Sequence, residues 1–134
     1  MALITTKLIV LSYWIKMVLY TSGTLIKDRC LVTNVYKFFL EKHPMMKDQD
    51  VEIHYCDLSE DKVTGWQEKN GDEFLIHIDD NLDRDEYIRT ILHELIHCMQ
   101  DIIGVTEEAQ REFNAYTLEE TYYNEFKLVT SKGP

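Results

Sequence analysis

Residues 93 to 97 read His93-Glu94-Leu95-Ile96-His97, an H-E-x-x-H pentapeptide. On an α-helix, side chains at i and i+4 lie one above the other on the same face. Two imidazoles at that spacing can aim their nitrogens at one ion, and the carboxylate beside the first can take a proton from a metal-bound water. His93 and His97 are therefore candidate metal ligands, and Glu94 is a candidate general base. Together these residue types point to hydrolysis at a divalent ion. Zinc is the first choice, although the same donors accept other divalent metals.

The flanking sequence supplies the helix. Ile88, Ile91, Leu92, Leu95, Ile96, Met99, Ile102 and Ile103 recur at i, i+3, i+4 and i+7, which makes one broad apolar stripe. The two histidines fall nearly opposite its centre, with Glu94 on the flank. Asp83 with Glu86 resembles a capping box, and Gly104 is a natural stop.

A catalytic zinc usually has three protein ligands and one open position. Beyond Gly104, Thr106 suits an N-cap, and Glu107 and Glu108 suit the positive end of a second helix. A short turn between two helices predicts an antiparallel hairpin. His97 lies seven residues before Gly104 and Glu112 eight after it, so both sit roughly 10–12 Å from the turn at 1.5 Å per residue. Glu112 is thus the candidate third ligand, and Ala115, one turn on, is small enough for close helix approach. Glu108 would fall nearer Asp101 and Glu119 nearer Thr90, while Glu107 or Glu120 would need the helix rotated. Cys98 points about 100° away from His97 and reads as packing.

With these residues in place, the chain resembles the gluzincin group of zinc metallopeptidases, and the small single-domain members in particular. The matching residues are His93-Glu94-x-x-His97 and Glu112-x-x-Ala115, and the resemblance covers about residues 50 to 125. It implies zinc held by His93, His97 and Glu112, with Glu94 as base in peptide-bond hydrolysis. It also implies a zincin-like fold in which a small antiparallel sheet precedes the H-E-x-x-H helix, and an edge strand near the metal receives an extended peptide substrate. No histidine is evident as an oxyanion donor, which leaves Tyr116, Tyr122 and Tyr123 as candidates. Two other readings stay open. One is a regulatory zinc-binding module that hydrolyses little. The other is a deformylase-like amide hydrolase that takes Cys56 as third ligand, although the glycine- and glutamine-bearing loop expected with it is absent.

The elements that must position this site follow from periodicity. Residues 51–55, 62–66 and 73–78 alternate as three strands, with Asn70-Gly71 a hairpin signal. His54 and His77 read as residues of a solvated strand face rather than as ligands. Leu25, Ile26, Leu31, Val32, Val35, Phe38, Phe39 and Leu40 predict a helix over 24–42, ended by Pro44. These elements make one α+β domain over 23–134, large enough for a core without disulfide staples. Residues 1–22 form an apolar segment whose role stays open. Within it, 3–20 fits a packed helix or strand, an amphipathic surface element, a membrane anchor or signal sequence, or an extension upstream of Met17.

Cys30, Cys56 and Cys98 are an odd count at wide spacing, which argues against a disulfide framework and for a reducing compartment, the cytoplasm by default. Twenty-four acidic against 14 basic side chains give a net charge of −10. That excess argues against a nucleic-acid footprint. A peptide or protein substrate is what the resemblance implies.

Overall fold

The computed structural model describes residues 5–12, 15–22, 29–71 and 73–131. The chain is α+β. Its elements are β1 (Thr5–Ser12), β2 (Ile15–Ser22), α1 (Arg29–Lys42), β3 (Asp50–Cys56), β4 (Gly65–Asn70), β5 (Glu73–Asp79), α2 (Arg84–Ile103) and α3 (Glu108–Ser131). Of the predicted helix over 24–42, the part from Arg29 onward is present, and residues 24–28 lie outside the described residues. Residues 5–12 and 15–22 contribute two strands, and no helix among the described residues is long and apolar enough to cross a membrane.

The sheet corrects the antiparallel expectation. Its order is β1-β2-β3-β5-β4, and it is mixed: β2 with β3 and β3 with β5 run parallel, while β1–β2 and β4–β5 are antiparallel. Burial explains why β5 lies inside and β4 at the edge. Val51, Ile53 and Tyr55 on β3 pair with Phe74, Ile76 and Ile78 on β5, and all six are buried under the helices. The same face of β4 offers only Gly65, Gln67 and Lys69, too polar for a central strand. The chain therefore leaves β3 and crosses the end of β5 through residues 57–64. It then runs down the edge as β4 and turns at Gly71, where φ is +66°, to bring β5 back into the gap. Asp79 fixes this crossing by accepting from the backbone N–H of Leu58 at 3.2 Å.

The strand predicted over 62–66 also moves, to Gly65–Asn70. Lys62 has φ of +56°, a left-handed turn that breaks extension, and Val63 is exposed in the loop.

One face of the sheet carries α1 and α2. Val32, Val35, Tyr36, Phe39 and Leu40 of α1 share a core with the buried residues of β3, β5 and α2. On the opposite face, His54 and His77 stand side by side, and Trp66 stacks on His77 with ring centroids 4.0 Å apart. Both are strand residues, and neither belongs to the group formed by His93, His97 and Glu112.

Candidate metal centre

The helix that carries the pentapeptide begins and ends where its local chemistry dictates. Asp83 accepts from the Glu86 N–H at 2.9 Å, and Gly104 closes the helix in the left-handed conformation with φ of +86°. The second helix starts one residue later than Thr106 suggests. Glu107 caps it, accepting from the Gln110 N–H at 2.7 Å.

The hairpin between α2 and α3 brings the candidate ligands together. The Nε2 atoms of His93 and His97 are 3.1 Å apart. Glu112 reaches both, with Oε1 2.8 Å from His97 Nε2 and Oε2 3.6 Å from His93 Nε2. Donors at 2.0–2.1 Å around a tetrahedral zinc stand about 3.3 Å from one another, so these spacings fit one small cation. The donor set asks for one as well: two imidazole nitrogens and a carboxylate converge on one point. His93, His97 and Glu112 could hold a metal ion.

Further hydrogen bonds fix the ring orientations. Glu119 accepts from His93 Nδ1 at 2.9 Å, and the Tyr116 ring packs 4.6 Å from the same imidazole. Glu119 thus stands behind His93 rather than beside Glu112 as a ligand. Arg89 pairs with Glu120, lies 3.8 Å from Glu119 and rests over the Tyr123 ring. On the other ring, His97 Nδ1 is 2.8 Å from Oε1 of Gln100, a buried residue that the H-E-x-x-H pattern does not flag.

Glu94 is buried, with 6% of its surface exposed. Burial raises its pKa from 4.5 to about 7; His93 opposes that rise, while Glu112 and Glu119 add to it. For His93, burial disfavours the charged ring. The Glu119 hydrogen bond and the carboxylates of Glu94, Glu119 and Glu112 outweigh it and raise the pKa. Cys98 is fully buried and its thiol is pushed well up, chiefly by burial, in keeping with a packing role.

A cleft of about 730 Å³ opens over these groups. Its walls are α2, α3 and the first residues of β4, with Gly65, Trp66, Glu94, Glu112 and Tyr116 on the lining. β4 comes this close because Gly65 has no side chain: a Cβ there would lie 2.7 Å from Thr90 Cγ2 and 3.0 Å from the His77 carbonyl oxygen. Of the three candidate tyrosines, Tyr116 lines the cleft, whereas Tyr122 and Tyr123 are buried between helices. Cys56, at the end of β3, is not among the residues that line it. Ala115 is fully buried, as close approach of the two helices requires.

No protein-family model matches the chain, and no curated protein or solved structure compared with it does either.

Proposed function

We propose that this protein is a zinc-dependent peptidase of the zincin type, close in plan to the small gluzincins. The observation that carries the reading is the convergence of His93, His97 and Glu112 on one point, with the buried Glu94 carboxylate beside them in an open cleft. A zinc ion held by these three residues would supply a Lewis acid, lowering the pKa of water to about 7 and polarising a carbonyl oxygen.

The chain's own groups account for the rest of the reaction. Glu94 takes the proton from the attacking water and passes it to the leaving amine. Its raised pKa suits that two-way traffic, since a base near neutrality both accepts and returns a proton. Tyr116 is the candidate donor to the developing oxyanion, because it alone of the three tyrosines lines the cleft. β4 is the edge strand on the cleft wall, so an extended peptide can add to it by backbone hydrogen bonds, with its scissile bond held toward Glu94. A purely structural zinc site has no use for Glu94 and fills its fourth position with protein, which favours catalysis over a regulatory module.

The test is a peptide-library digestion with and without chelator, using wild type and Glu94→Gln at matched metal content. Chelator-sensitive cleavage that Glu94→Gln abolishes while keeping its zinc is the expected result. Full activity in that variant would remove Glu94 from the mechanism.

A further inference from the structure

Gln100 lies one helical turn beyond His97, between Met99 and Asp101 of α2, and is 2% exposed. A buried primary amide must satisfy both its oxygen and its NH2 group, or its burial destabilises the fold. Here both ends are used. Nε2 donates to the backbone carbonyl of Arg111 at 3.0 Å, and Oε1 is 2.8 Å from His97 Nδ1.

The carbonyl end settles the direction of the whole chain of bonds. A backbone carbonyl only accepts, so the amide nitrogen must face Arg111 and the amide oxygen must face His97. An amide oxygen likewise only accepts, so His97 must carry its proton on Nδ1. Its Nε2 is then the nitrogen that faces Glu112 Oε1, 2.8 Å away, where a cation or a second proton must stand between the two acceptors. Arg111 is the residue immediately before Glu112. One side chain therefore holds the tautomer of a ligand on α2 and is anchored to the backbone that carries the ligand on α3.

We propose that Gln100 is a positioning residue for the metal centre: it locks His97 as the Nδ1–H tautomer and sets the spacing between His97 and Glu112. The inference rests on the metal reading given above, but its first consequence can be read in the metal-free protein. The bridge works through two neutral hydrogen bonds that exist before any ion arrives. Glu119 gives His93 the corresponding partner on its Nδ1, so both rings present Nε2 to the same point. The two supports differ in kind. Glu119 is an acid on α3, whereas Gln100 is a neutral strut from α2 that ends on backbone.

The experiment uses the full chain with 15N-labelled histidine, as wild type, Gln100→Met and Gln100→Glu. Methionine has nearly the same length and shape but cannot accept from a ring N–H or donate to a carbonyl. Long-range 1H–15N correlation spectra of the metal-free proteins above the histidine titration range read the tautomer of each ring. Zinc affinity is measured in parallel by competition with a chromophoric chelator, and thermal unfolding confirms that each variant is folded. In wild type, His97 should show the Nδ1–H pattern. In Gln100→Met it should shift toward Nε2–H, while His93 keeps the pattern set by Glu119, and zinc should bind about 10–100-fold more weakly, the usual cost of losing a ligand's hydrogen-bond partner. Gln100→Glu keeps the oxygen for His97 and loses the donor to Arg111, so it should retain the tautomer and recover only part of the affinity. An unchanged His97 tautomer with unchanged affinity in folded Gln100→Met would overturn the proposal and leave the metal reading intact. A wild type that binds no zinc at all would instead remove the metal reading.

Discussion

Replacing Glu94 with glutamine should shift the stability of the metal-free protein in the variant's favour as pH rises, although the same change removes the proposed catalytic base. The carboxyl group titrates near 4.5 when exposed and at about 7 in the fold, mainly because it is buried. The folded state therefore holds this proton more tightly than the unfolded chain does. Stability from that source is fully present below about pH 4.5 and is lost as pH rises through 7. A difference of about 2.5 pH units at 1.36 kcal/mol each amounts to at most about 3 kcal/mol. In a domain of this size, that shifts the melting temperature by roughly 10 °C. A buried glutamine amide without partners has its own cost, but that cost is nearly independent of pH. The quantity to measure is thus the stability gap between Glu94→Gln and wild type at pH 8 minus the same gap at pH 4.5. Urea unfolding of chelator-stripped protein gives it directly. The gap should move in favour of the variant by 1–3 kcal/mol. A gap that stays constant with pH would mean that Glu94 is already ionised at little cost in the fold, and the account of its environment would fail.

Glu112→Ala and His97→Ala should each lose most of the bound zinc near neutral pH, read by elemental analysis after gel filtration. Zinc retained in full by Glu112→Ala would send the third ligand elsewhere. Gly65→Ala should destabilise the fold by about 1–3 kcal/mol, because the new methyl meets Thr90 and the His77 backbone. It should also raise KM for peptides while zinc content stays that of wild type. A loss of zinc in that variant would show that β4 supports the ligands and does more than wall the cleft.

The helical hairpin was legible in the sequence because its information is local. Asp83, Gly104 and the apolar stripe between them define α2 without reference to the rest of the chain. The rise per residue then carries a count from the turn to Glu112 opposite His97. The sheet was not legible in the same way. Whether β5 lies beside β3 or beyond β4 depends on which strands share a buried face, and the eight residues 57–64 are long enough for either path. The strand read over 62–66 began too early, because Lys62 turns the chain there. Glu107 displaced Thr106 as the cap because its longer side chain folds back onto the Gln110 N–H. Gln100 belongs to no motif. Its one signal was an amide side chain one turn after a candidate ligand.

The three candidate ligands fall within twenty consecutive residues, on two helices joined by a four-residue turn. The loop that must close to bring Glu112 to His97 is short, so its entropy cost is small compared with pairing β2, β3 and β5. During folding, the hairpin can gather its donors while the sheet is still unpaired. An ion captured at that stage would favour the folded hairpin by mass action and give α2 a fixed surface for Val51, Phe74 and Ile76 to pack against. The site would then act as a nucleus for the domain as well as its centre of chemistry, and the rate of folding, as well as the final stability, would depend on free metal.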